Sequence, residues 1–249
     1  MQTQIKSNDY LLPGCIFFPP KNASMPLVHV LILCHDFPVF KEETNLFSKT
    51  YCELADRISQ EVGWTVLYFN FSGIGDAPGS FSLSQWLNDL KSAVDFVYEM
   101  DKINGVWLAG FGVGGGLALC AAAEDARIKG VASFGAWSDF NEWSNPELIV
   151  DLAKRVGAIK PKHQVDLDKW RNEFKSIKPI AGIGKVPPRS LLIVHGSEDE
   201  VAPAVEARAL SNAAEEQVEL RVIPGAKHRI RDDPRAIAIL LGWLDRQFV

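Results

Sequence analysis

Short runs of β-branched and aromatic residues alternate with longer stretches of helical apolar spacing along most of the chain, and that alternation leaves few folds open. Residues 27–34 (LVHVLILC) and 65–71 (TVLYFNF) read as buried strands, and between them Phe47, Tyr51, Leu54, Ala55 and Ile58 recur as one helical stripe. A second stripe through Trp86, Leu87, Leu90, Ala93, Val94 and Val97 leads to short strands at 106–109 and 131–134, separated by the small-residue helix LALCAAA. Regular alternation resumes with a strand at 190–195, a helix near 205–214, a strand at 218–223 and a last helix from Pro234. The pattern predicts an α/β fold with a mostly parallel central sheet and helices on both faces. The opening stretch, with Pro13-Gly14 between apolar runs, is expected to add an antiparallel pair at the sheet edge.

Between 137 and 185 the periodicity loosens into polar, tryptophan-containing helical pieces at 146–156 and 167–174. This segment is read as a small helical cap inserted into a core made of 1–136 and 186–249, all within one domain. Trp137, Trp143 and Trp170 are expected to fill cap packing, with Trp137 also a candidate for contact with an aromatic ligand.

Composition narrows the function. Hydrophobic residues at 47% and charged residues at 23% suit an ordinary globular core. A formal charge of −5 supplies no electrostatic reason to bind nucleic acid or an anionic membrane, so a small-molecule ligand is the expected partner. A homodimer is left open. No secretory leader or bilayer-length apolar run is visible, and the chain is expected to be cytoplasmic. Cys15, Cys34, Cys52 and Cys120 are scattered and are expected to be free, mostly buried thiols. No histidine has metal-ligand spacing to another ligand, so neither a metal nor a cofactor is expected.

The chemistry centres on Gly110-Phe111-Gly112-Val113-Gly114-Gly115, which joins a strand to a small-residue helix. That is the setting of a nucleophile elbow, G-x-S-x-G, with Gly112 in the serine's place. A glycine has no side chain and cannot attack an acyl carbon. The same glycines fit the dinucleotide spacing G-x-G-x-x-G, but the strand is late in the chain and no strand-terminal acid follows about 20 residues on. Asp199 and His228 lie on loops after two successive later strands, so nucleophile position, acid and histidine follow the Ser, Asp, His order of α/β-hydrolases. Cys34 and the strand-end serines Ser72, Ser133 and Ser197 are the other possible nucleophiles, and none occupies an elbow.

With these features in place, the chain resembles α/β-hydrolases of the cinnamoyl or feruloyl esterase-like group over nearly its whole length outside the cap. His35-Asp36-Phe37-Pro38 stands where relatives tend to have His-Gly-Phe, and Phe69-Asn70-Phe71-Ser72-Gly73-Ile74-Gly75-Asp76 is similar to the family's FDFRGxGxS segment. The resemblance implies an oxyanion hole from the backbone N–H groups of Phe37 and Val113, with Asp199 and His228 as acid and base. Asp36, a candidate ligand contact, departs from the family pattern by placing a carboxylate beside that hole, where it would oppose an oxyanion unless it pointed to solvent. The expected function is an esterase-like fold lacking ordinary serine-esterase activity, with a binding or scaffold role. The alternatives are an enzyme that uses Asp199 and His228 without a serine, and an engineered serine-to-glycine form of an active esterase.

Overall fold

The computed structural model describes residues 1–20, 28–38, 41–141, 145–160, 163–215 and 218–248. Leu27 and Trp143, both assigned from sequence, lie outside the described residues. An eight-stranded sheet runs through the molecule in the order β1-β2-β4-β3-β5-β6-β7-β8. Its strands are β1 Gln2–Ser7, β2 Tyr10–Phe17, β3 Val28–Cys34, β4 Thr65–Phe69, β5 Ile103–Phe111, β6 Ile128–Phe134, β7 Ser190–Gly196 and β8 Glu219–Ile223. From β4 to β8 all neighbours pair in parallel, while β1 and β2 form the antiparallel edge. This is the α/β-hydrolase fold.

The antiparallel edge is present, but its turn differs from the sequence expectation. Ser7 pairs with Tyr10, so the hairpin turns at Asn8 and Asp9, and Pro13-Gly14 lies inside β2. Asn8 takes a positive φ of 50°, a conformation that asparagine tolerates better than most residues. Pro13 needs no ladder N–H there, and its carbonyl accepts a bond from the Asn70 N–H.

The central strands are apolar on both faces because helices cover both. The α1 helix, Lys41–Val62, buries Phe47, Tyr51, Ala55 and Ile58, the stripe anticipated from their spacing. The α2 helix, Leu83–Tyr98, opens with the Ser82 side chain accepting from the Gln85 N–H, which satisfies one of the helix's unpaired donors. The α3 helix, Gly112–Glu124, is buried from Gly112 to Ala122, so it is apolar all round rather than amphipathic. Its glycines permit close contact with the sheet: a Cβ on Gly114 would overlap the carbonyl oxygen of His35.

Between β6 and β7 come α4 Pro146–Arg155, α5 Leu167–Ser176 and the short α6 Pro179–Gly182. The Trp170 ring meets Phe81 edge-on, with centroids 5.3 Å apart, and its side chain is buried. The chain closes with α7 Val205–Ala213 and α8 Pro234–Asp245. No helix among the described residues is long and apolar enough to cross a membrane.

The cysteine expectation needs correction. Cys15 on β2 and Cys52 on α1 are joined in a disulfide, with Cα atoms 6.2 Å apart, while Cys34 and Cys120 are free and buried. Cys15 and Cys52 lie 37 residues apart and meet because β2 pairs with β4, beneath the face that α1 covers. Disulfides persist mainly in oxidising surroundings, which pulls against the expectation of a cytoplasmic chain.

Because Gly114 carries the turn into α3 against the β3 carbonyls, Gly114→Ala is expected to cost about 1–3 kcal/mol through overpacking. Urea denaturation of wild type and variant checks this, and an unchanged midpoint would mean that α3 can shift to make room.

Candidate active site

Four chain segments meet at the carboxyl ends of β3, β5, β7 and β8. The first is the strand–helix turn at the end of β5, where Gly112 has φ +49°. Such backbone favours glycine, and the absence of a side chain has a second use here. A Cβ built on Gly112 would overlap the carboxylate of Asp36. The side chain of Asp36 therefore stands in the space above the elbow that a residue larger than glycine would need.

The Asp36 carboxylate is fully engaged. Its Oδ1 accepts from the backbone N–H of Phe37 at 2.7 Å and from that of Val113 at 2.8 Å. These are the two amides that the family resemblance assigned to the oxyanion hole, and they converge on one oxygen. The oxygen belongs to the chain itself, so the hole is not open to a ligand's carbonyl in this arrangement. Nor does Asp36 turn to solvent: its side chain is 21% exposed. A carboxylate beside a hole of N–H donors is itself the most available anion, and it takes the donors that would otherwise face an oxyanion.

The other carboxylate oxygen, Oδ2, lies 3.1 Å from Nε2 of His228. Nδ1 of the same ring lies 2.9 Å from Oδ2 of Asp199. Asp199 is anchored in turn, its Oδ1 accepting from the N–H groups of Val201 and Ala202 at 2.9 and 2.8 Å. Asp36, His228 and Asp199 thus form a continuous chain of contacts, with Asp36 at the end where a serine hydroxyl would be sought.

Electrostatics follow from this geometry. Burial disfavours the charged imidazole of His228, but hydrogen bonds to Asp199 and Asp36, with both negative charges, outweigh it and raise its pKa to about 10. At neutral pH His228 is an imidazolium between two carboxylates. Asp199 moves the opposite way: burial would raise its pKa, but hydrogen bonding from His195 and His228 and the His228 charge hold it well below the usual carboxylate range.

Neighbouring residues fix the loops. His35 is fully buried, with Nδ1 2.7 Å from the carbonyl oxygen of Asp36 and Nε2 accepting from the Phe71 N–H at 3.1 Å. Burial lowers its pKa to about 4, so it stays neutral and holds the Asp36 backbone. Nε2 of His195 lies 2.7 Å from the Ala202 carbonyl and braces the Asp199 loop. The Ser197 N–H donates to the Ile223 carbonyl and the Glu198 N–H to that of Ala226, tying the Asp199 loop to the one bearing His228.

The substitute nucleophiles stay away from this chemistry. Burial pushes the Cys34 thiol far above its ordinary pKa. Ser72 and Ser133 are buried, and the Ser197 hydroxyl accepts from the Gly225 N–H.

A small cavity of about 50 Å³ opens beside Asp36 and His228, with Phe37, Phe47, Tyr51, Phe111 and Ile230 on its apolar side and Glu43, Arg229 and Asp232 on its charged side. Arg231 also borders it, with its guanidinium 4.5 Å from the Tyr51 ring centroid. Sequence reasoning read Phe47 and Tyr51 only as helix stripe and did not single out Arg231, and nothing in the local pattern marks these residues as cavity walls. Trp137, a candidate ligand contact, is buried in the core and does not line the cavity, and no described residue of 137–185 does. A larger groove of about 600 Å³ runs over β2 and α1 near Cys52, but none of Asp36, His228 and Asp199 borders it.

The His228 geometry predicts a titration. Its imidazole should lose its proton near pH 10, and Asp36→Asn should lower that value by removing one of the two charges. Because the folded pKa exceeds the unfolded value of about 6.5, the ion pairs contribute fully to stability below about pH 6.5 and lose that contribution as pH rises through 10. NMR titration of the His228 ring protons in both proteins checks this, and a midpoint near 6.5 in wild type would contradict it.

Comparison with known proteins agrees with the fold. Est1E from Butyrivibrio proteoclasticus superposes with a TM-score of 0.72 at 19% identity, covering 99% of this chain and 97% of that one. The hypothetical protein PA2218 from Pseudomonas aeruginosa gives 0.75 at 19% identity, covering 99% and 92%. At these identities the likeness speaks for the fold alone. In sequence, the chain is 25% identical to the uncharacterized protein YfhR of Salmonella typhi over 173 residues, 64% of this chain and 53% of that protein. The chain thus spans about half the length of the curated relatives it matches. Residues 45–181, more than half of the chain, match the family described as serine aminopeptidase, S33, and the chain belongs to that family of α/β-hydrolases.

Proposed function

We propose that this protein does not carry out serine-type ester hydrolysis, although it keeps the esterase-like fold. The observation that carries this reading is the position of the Asp36 carboxylate, which takes both amides of the expected oxyanion hole and fills the space above Gly112. Ordinary acyl transfer needs a nucleophile on the elbow and free donors for the substrate's oxyanion. Here the elbow residue has no side chain and the donors already hold a carboxylate. Hydrolases stripped of a triad member retain roughly 10³–10⁴-fold catalysis over water from hole and binding alone, and a filled hole removes the first of those sources. Any ligand is small and lies in the cavity beside Asp36, between its aromatic and its charged side, rather than in the hole. On this reading the protein is a pseudoenzyme with respect to serine chemistry.

A single engineered serine-to-glycine change fits less well, because Asp36 and Gly112 are sterically matched: a serine at 112 would have to evict the carboxylate. A second reading, an enzyme that works without a serine, is favoured by one specific observation. Asp36, His228 and Asp199 are joined end to end, with His228 contacting both carboxylates.

The test is hydrolysis of short-chain nitrophenyl and cinnamoyl esters. Wild type is expected to show none above background. Gly112→Ser alone is also expected to fail, since Asp36 still claims the hole and the left-handed backbone costs a non-glycine residue roughly 1–3 kcal/mol. Gly112→Ser combined with Asp36→Gly should gain activity that His228→Ala removes. Ester hydrolysis by wild type that is lost in His228→Ala would overturn the reading.

A further inference from the structure

The parts that an esterase aims at its substrate are aimed here at Asp36. In acyl transfer, paired amides face the oxygen of the reacting acyl carbon, and a histidine–carboxylate pair serves the atoms bonded to that carbon. In this chain the carbon in that position is Cγ of Asp36: Oδ1 receives both amides, and Oδ2 lies 3.1 Å from Nε2 of His228. If Oδ2 carried an alkyl group, Oδ1 would be an ester carbonyl oxygen already seated between its stabilising donors.

We propose that Asp36 is a covalent nucleophile toward a saturated carbon bearing an anionic leaving group, the chemistry of a small alkyl halide, and that Phe37, Val113, His228 and Asp199 hydrolyse the ester it forms. The proposal rests on the reading that Gly112 and the filled hole exclude serine chemistry. An acyl substrate finds no free donors, whereas displacement at saturated carbon develops no oxyanion and requires none. The apolar side of the cavity, Phe37, Phe47, Tyr51, Phe111 and Ile230, suits a compact alkyl group, the charged side with Arg229 and Arg231 suits an anionic leaving group, and a volume of about 50 Å³ admits only a short chain.

The steps balance. Oδ2 donates a lone pair to the saturated carbon, the new C–O bond forms, and halide departs with the electrons of the broken bond. Asp36 becomes a neutral ester, which removes one of the two charges that hold the His228 proton, and in the proposed cycle the ring then releases that proton to solvent. Water then adds to Cγ, giving a proton to His228, with the oxyanion at Oδ1 between the Phe37 and Val113 amides. Collapse breaks the Cγ–Oδ2 bond, and the departing alcohol takes the proton from His228. The new Asp36 carboxyl returns a proton to His228, restoring the ion pair. The net reaction converts alkyl halide and water to alcohol, halide and a proton.

Bromoethane tests this with the full chain. In His228→Gln, with folding verified by circular dichroism, mass spectrometry should find an ethyl group on the peptide containing Asp36. Wild type in H₂¹⁸O under single turnover should release bromide, place ¹⁸O in Asp36 and give unlabelled ethanol, because the alcohol leaves with the original Oδ2. Asp36→Asn should release no bromide above background. Absence of both the adduct and bromide release would overturn the proposal while leaving the loss of serine chemistry standing. Label in ethanol with none in Asp36 would overturn it too, since water would then have displaced bromide directly. Ester hydrolysis by wild type would instead strike at the reading on which it rests.

Discussion

Two backbone N–H groups, from Phe37 and Val113, converge on a single oxygen of Asp36, and the rest of the site is arranged around that convergence. Charge-assisted bonds of this kind are stronger than neutral ones, and a carboxylate held by two of them has little freedom to leave. Its second oxygen is thereby directed at His228, which fixes that ring between two carboxylates and keeps it charged. The absence of a Cβ at Gly112 is the steric condition for the arrangement. The small-residue α3 helix and the buried His35 are its supports, one bringing Val113 close to β3 and the other holding the Asp36 carbonyl.

The filled hole changes what the retained Asp199 and His228 mean. In a serine hydrolase the histidine must be neutral at rest to accept a proton, and its single carboxylate partner allows that. With two carboxylates in contact, His228 rests protonated and cannot begin as a general base. Neutralising either carboxylate would lower that pKa, and Asp36 is the one that borders the cavity. Membership of a family described by serine chemistry and the geometry of this site therefore point in different directions, since a shared fold does not fix the reaction.

Much of the architecture was legible because hydrophobic periodicity reports burial directly. The strands at β3, β4, β7 and β8, the α1 stripe, and the placing of Asp199 and His228 on successive loops all follow from it. What escaped depends on contacts between distant segments. The turn at Asn8-Asp9 was overlooked because Pro13-Gly14 carries a stronger local turn signal, yet Pro13 sits at a point in β2 where its missing N–H does no harm. Cys15 and Cys52 meet only because the antiparallel edge tucks under α1. Asp36 and Gly112 were each recognised as departures from the family pattern, but as separate ones. Their connection is steric, across 76 positions of sequence, and treating the missing side chain and the added carboxylate as one exchange is the signal that would have exposed it.

Whether the Asp36 carboxylate holds both amides can be read from the amide proton resonances of Phe37 and Val113. An N–H donating to a carboxylate is shifted downfield, so both protons should be downfield in wild type and move upfield together in Asp36→Ala. If both resonances stay where they were on removing the carboxylate, Asp36 is not in the hole and the account fails.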